Sequence, residues 1–166
     1  MIFGRRTKLP RDVASHVTVQ VLASAELADG RWAVVSPGAL VVADADGVRG
    51  RHPWHEIQHG SWDGEARRLT ITWVDGARAP LVLATASEDF ERFTTALRER
   101  VQSSVVHTET AETASGALVR AQVRRDENGE LFSQLTVQGR LDGDAEERRL
   151  IDALERRVRA AVGLPT

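Results

Sequence analysis

Arg51-His52-Pro53-Trp54-His55-Glu56-Ile57-Gln58-His59-Gly60-Ser61-Trp62-Asp63 holds two of the four tryptophans and three of the five histidines of the 166-residue chain. Residues 55–59 spell His-Glu-x-x-His, the pattern of zinc hydrolases. On a helix, His55 and His59 would stand about 6 Å apart on one face and share a metal, while Glu56 activated its bound water. On a strand rising roughly 3.3 Å per residue they would be about 13 Å apart, beyond the reach of one ion. The reading of the whole chain turns on that choice.

The neighbouring residues favour the strand. Pro53 could open a helix, but Gly60 would close it after about two turns, and Asp-Gly turns with period-two stretches flank it on both sides. A longer form of the zinc motif would carry glycine at position 62 and histidine at 65, where this chain has Trp62 and Glu65; a third ligand would have to be Glu88 or Glu91. As a long bent strand, His55, Ile57 and His59 share one face and Trp54, Glu56 and Gln58 the other, until a bulge shifts the phase. The expectation is therefore no catalytic residue, no cofactor and no metal. The alternative, a zinc hydrolase, would use His55 and His59 as ligands with Glu56 as base. A row of histidines on a strand could also bind a metal loosely or change charge near neutral pH. Trp32, Trp54, Trp62 and Trp73 are expected to pack the core or its edges, with a ligand cleft as the other possibility.

Working outward, Val17, Val19 and Val21 alternate with polar residues and predict a strand running to about Glu26. Ala28-Asp29-Gly30, Ser36-Pro37-Gly38 and Asp44-Ala45-Asp46-Gly47 predict turns around Trp32–Val35 and Leu40–Ala43. Leu69, Ile71 and Trp73 alternate with threonines, Asp75-Gly76 turns the chain, and Leu81–Ala84 follows. At Ser87 the period changes. Ser87 can cap a helix, Glu88 and Asp89 suit its positive end, and Arg98 and Arg100 suit the other. Phe90, Phe93, Leu97 and Val101 form its apolar stripe. Val119, Ala121 and Val123, the turn Glu127-Asn128-Gly129, and Leu131, Leu135 and Val137 predict a hairpin. Asp142-Gly143-Asp144 opens a last helix with the stripe Ile151, Leu154, Val158 and Val162, ended by Gly163 and Pro165.

Composition sets the outer limits. With 22 basic and 24 acidic residues the net charge is −2, so the global basic field of a nucleic-acid binder is missing and no nucleic-acid partner is expected. There is no cysteine, which removes disulfides and thiol chemistry and fits a cytoplasmic protein. No apolar run reaches the ~20 residues of a membrane helix. Arg5, Arg6, Lys8 and Arg11 make the N-terminus basic, a solvated arm or a small handle for anionic membrane surfaces. Arg120, Gln122, Arg124, Phe132 and Gln134 would share one face of the second hairpin, a candidate interaction surface.

About seven short antiparallel strands followed by one amphipathic helix resembles the pleckstrin-homology-like (PH-like) superfold. More narrowly, Val21-Leu22-Ala23, Trp32-Ala33-Val34, Ala39-Leu40, Pro53-Trp54-His55-Glu56-Ile57, Trp62-Asp63 and Arg98 to Val106 resemble a group of uncharacterised actinobacterial proteins of that type. The resemblance implies an α+β fold: a PH-like bent antiparallel β-sandwich or barrel capped by one amphipathic helix, with a C-terminal β-β-α extension. On this reading residues 1–16 are a basic, partly mobile arm, 17–106 the PH-like domain with its helix at about 87–103, and 107–116 a linker or edge strand. Residues 117–166 form the hairpin and helix, packed on the first unit or on a second chain. The implied function is a non-catalytic interaction or scaffold module for a protein or peptide, with homo-oligomers through the C-terminal hairpin as one form. PH-like domains that bind phosphoinositides use basic residues on the first two strands and the loop between them. Here that loop is Glu26-Leu27-Ala28-Asp29-Gly30-Arg31, which argues against such a ligand.

Overall fold

The structure, a computed structural model, describes residues 8–87 and 90–166. Arg5 and Arg6 of the basic arm, and Glu88 and Asp89 at the expected helix start, lie outside the described residues. The fold is α+β, with three antiparallel sheets, loosely sandwich-like, and three helices among the described residues. It divides into two compact units, Met1–Gln102 and Ser103–Thr166.

In the first unit, helix α1 (Arg11–Ala14) precedes a four-stranded sheet of β1 (Ala23–Glu26), β2 (Trp32–Val35), β3 (Ala39–Asp44) and β4 (Gly47–Pro53), ordered as in the sequence. A 3-10 turn, Trp54–Glu56, leads into a second sheet of β5 (Ile57–Asp63), β6 (Arg68–Trp73) and β7 (Leu81–Ala84). Helix α2 (Glu91–Ser104) follows. Ala25, Val35 and Leu40 of the first sheet share one core with Ile57, Leu69, Ile71, Trp73 and Leu83 of the second and with Phe90, Phe93, Leu97 and Val101 of the helix stripe. Each fully buried aliphatic side chain of this kind contributes about 1.5–3 kcal/mol. Just past the ends of β1 and β7, Leu27 and Thr85 form an isolated bridge, flanked by Ala28 N–H donating to Ala84 O at 2.8 Å and Ala86 N–H to Glu26 O at 3.0 Å.

Three expectations change here. The valines at 17, 19 and 21 do not form a strand; β1 starts only at Ala23. Val19 and Val21 are exposed, while Val17 packs with Leu9 on the outer face of the first sheet, against Trp32, Val34, Ala39, Val41 and Ala43. Within residues 8–16 of the expected arm, Val13 of α1 is buried and Leu9 partly buried, while the other residues are exposed. That cover explains why β2 and most of β3 are buried on both faces. Helix α2 starts at Glu91 rather than at Ser87, whose N–H donates to Thr85 Oγ1.

The second unit is a sheet ordered β10-β9-β8, from β8 (Val105–Glu112), β9 (Leu118–Arg125) and β10 (Leu131–Gln138), with helix α3 (Ala145–Ala161). The segment expected as a linker or weak edge is thus largely a full edge strand, and the extension is β-β-β-α. That third strand widens the surface for a core, in which Val119, Ala121, Val123, Leu154 and Val158 are fully buried. Asp144 caps α3, accepting from Glu147 N–H at 2.8 Å. The buried Glu147 carboxylate in turn accepts from Gly143 N–H at 2.7 Å and Ser115 hydroxyl at 2.9 Å, tying the helix start to the β8–β9 turn. Gly163, at φ +75°, ends the helix in the left-handed conformation that suits glycine.

Candidate functional site

The zinc motif falls across two kinds of structure. Trp54, His55 and Glu56 form one 3-10 turn, and Ile57 starts β5 in extended geometry (φ −92°, ψ 122°). This corrects the expectation of one continuous strand: His55 lies in the turn and His59 in the strand. The helical i, i+4 stacking that a shared metal needs is not formed. Among the described residues no group of three or more His, Asp or Glu is placed to hold a metal ion. Glu56 is engaged elsewhere, 3.1 Å from Arg78 Nη1, and its carbonyl accepts from Val74 N–H at 2.9 Å.

A bulge in β5 decides which side chains face α2. Ile57 pairs with Trp73 and His59 with Thr72, so Gln58 has no partner and the alternation slips by one. Gly60 then pairs with Ile71 and Trp62 with Leu69, which places Gly60 and Trp62 on the same face as Ile57. His59 and Ser61, opposite Thr72 and Thr70, take the other face. Gly60 lets the helix approach, since a Cβ there would lie 3.0 Å from Leu97 Cδ2. At the rim Trp62 meets Phe90 in a tilted contact with ring centroids 4.6 Å apart, and Phe90 stacks on Phe93 at 4.8 Å.

The four tryptophans therefore divide by role. Trp32, Trp54 and Trp73 are buried; the indole N–H of Trp54 donates to Ser36 O at 3.0 Å and that of Trp73 to Ala79 O at 2.8 Å. Trp62 is 38% exposed, on a strand whose residues His59–Asp63 are all exposed and which, among the described residues, pairs with β6 alone. An exposed strand edge with an aromatic at its rim is suited to receive an extended segment. On another flank of α2, a groove of about 600 Å³ is lined by Leu22 and by Glu91, Arg92, Thr95, Ala96, Glu99 and Arg100.

In the second unit the register puts all five residues of the candidate surface on one face: Phe132 lies opposite Arg124, and Gln134 opposite Gln122, with Arg120 two residues along. They are not an open basic surface. Arg124 is 1% exposed; its Nη2 donates to Ser104 Oγ at 2.5 Å, and burial pushes its pKa down to about 10. Arg120, Gln122, Phe132 and Gln134 are partly buried. The pairing of Trp62 with Phe90 had no signature in the sequence, because it depends on the one-residue slip at Gln58.

No protein-family profile matches the chain, and no curated protein matches it. Among solved structures the chain is similar to the FERM and C-terminal domain complex of Drosophila Merlin, at 18% identity and a TM-score of 0.40. The match covers 52% of this chain and 29% of that one, so the chain spans under a third of the matched protein. A TM-score of that size carries neither a function nor a partner to this protein.

Proposed function

We propose that the first unit is a non-catalytic, PH-like interaction module that takes an extended segment of a partner protein along the exposed outer edge of β5 from His59 to Asp63, with Trp62 as the anchor. The observation that carries this reading is the partly exposed Trp62, tilted against Phe90 near the end of a strand that, among the described residues, pairs with β6 alone. Seven strands in two antiparallel sheets followed by α2 is the element order that supports the PH-like assignment. Backbone pairing along a strand edge supplies affinity that does not depend on sequence, and an aromatic in contact with the partner supplies selectivity.

A phosphoinositide is disfavoured on charge. In the β1–β2 loop Arg31 is held by Asp29 at 2.7 Å, so the loop presents a neutralised pair. The basic arm holds four charges, Arg5, Arg6, Lys8 and Arg11, too few to hold a membrane surface by themselves.

The test is selection of peptides from a displayed library on the full chain, followed by mapping of their binding by amide chemical shifts. The reading expects shifts in β5 and the start of α2, and at least about tenfold weaker binding by Trp62→Ala, equivalent to roughly 1.4 kcal/mol. Shifts confined to the Leu22–α2 groove or to β9 and β10, or binding indifferent to Trp62→Ala, would overturn it.

A further inference from the structure

Four side chains from separate segments meet at one corner of the first unit: His52 of β4, Glu56 of the 3-10 turn, Trp73 of β6, and Arg78 of the β6–β7 turn. Arg78 is held three ways. Its Cζ lies 3.5 Å from the Trp73 ring centroid, Nη1 lies 3.1 Å from Glu56 Oε2, and Nη2 lies 3.0 Å from His52 Nδ1. The His52 ring itself rests against Trp73, with centroids 4.9 Å apart. A guanidinium can only donate, so Nδ1 must be the acceptor and the imidazole is neutral with its proton on Nε2. A proton added at Nδ1 would turn the acceptor into a donor and set two cations against each other at hydrogen-bond distance.

We propose that this cluster is a pH-operated latch: neutral His52 holds the β6–β7 turn to the corner between β4 and the 3-10 turn, and protonated His52 lets Arg78 go. This inference stands apart from the docking reading and does not rest on it. The charged groups facing His52 are Arg78, from the β6–β7 turn, and Glu56, from the 3-10 turn; its neighbour Arg51 lies on the opposite face of β4, paired with Val41. Burial is the main cause that holds the His52 pKa below its ordinary value, the Arg78 charge adds to it, and Glu56 opposes both. The latch is therefore fully closed above the ordinary histidine value of about 6.5, and opens as pH falls through the lower value of the folded state. The turn keeps its own bonds throughout, Ala77 N–H to Asp75 Oδ1 at 2.9 Å and Arg78 N–H to Asp75 O at 3.2 Å. What changes is its attachment, not its shape.

Two-dimensional 15N–1H spectra of the full chain, taken from about pH 8 to about pH 5, read the latch directly through the Arg78 Nε–H and the Trp73 indole N–H. Both signals should move with the midpoint at which the His52 ring titrates. In His52→Gln, whose side-chain oxygen can still accept from Arg78 but cannot titrate, that midpoint should vanish. Titration of His52 with no response at Arg78 or Trp73 would overturn the latch, and so would a response that persists in His52→Gln. The wild-type titration decides the first of these even if the variant does not fold.

Discussion

Gly60 of β5 lies beneath Leu97 of α2, where a Cβ would come within 3.0 Å of Leu97 Cδ2 and 3.4 Å of Ile71 Cδ1 and Leu69 Cδ1. All three neighbours are buried side chains, so the Cβ of a branched residue would press on packed groups although Gly60 itself is exposed. Gly60→Val should lose about 1–3 kcal/mol of unfolding free energy by overpacking, seen as a lower urea midpoint with an unchanged slope. An unchanged midpoint would show that the helix does not press on the strand at this point.

Arg124 donates to the Ser104 hydroxyl within a buried setting. Ser104→Ala removes that acceptor and should cost about 1–3 kcal/mol, because a buried charged donor loses more than a solvated one. Ser104→Thr keeps the hydroxyl and should recover most of the loss. Equal midpoints for the two variants would place the effect elsewhere.

The start of α3 depends on Asp144, which accepts from Glu147 N–H. Asp144→Ala should cost about 1 kcal/mol, and Asp144→Asn much less, measured by thermal or urea unfolding. A larger loss is expected for Glu147→Ala, which removes the acceptor for both Gly143 N–H and Ser115 hydroxyl.

Glu109 is held below the usual carboxylate range, first by its hydrogen bond from Arg157 at 2.9 Å and next by His107 at 3.3 Å. Its folded pKa is depressed, so its contribution to stability is present above about pH 4.3 and is lost as pH falls through the lower folded value. Arg157→Gln should bring the Glu109 titration back toward the ordinary value in a carboxyl-detected NMR experiment. No movement would show that the ion pair does not persist in solution.

With His55 in a 3-10 turn and His59 in a strand, protein purified without a histidine tag should carry far less than stoichiometric zinc. Glu56→Gln should leave that metal content unchanged. One zinc per chain, lost on His59→Ala, would restore the hydrolase reading.

Much of the fold was legible because burial imposes a period. The alternation Leu69, Ile71, Trp73 and the stripe Phe90, Phe93, Leu97, Val101 are inward-facing positions, and the structure buries all seven. The valines at 17, 19 and 21 carried the same signature without the pairing: Val17 is used by the outer face of a sheet that needed covering, a demand that arises only once β2 and β3 have paired. The start of α2 could not be placed, because a capping serine at position 87 was equally able to close a turn after β7, where its N–H meets Thr85. For the candidate site, the sequence showed the tryptophans but not which one stays at the surface. Arg78 beside His52, 26 residues away, left no local trace, since the contact joins a strand of one sheet to a turn of the other.

The unpaired residue at position 58 works by being counted rather than by what it is. Exchanging Gln58 for another polar residue should leave the strand as it stands, and deleting it would leave Gly60 opposite Ile71 and Trp62 opposite Leu69 in an unbroken ladder. Were Gln58 instead to take a place of its own opposite Thr72, His59 and Ser61 would be presented to the underside of the helix, and Gly60 and Trp62 would be turned to water. The close helix contact and the aromatic rim thus hang on one residue being left out of the ladder, although no side chain of either is changed.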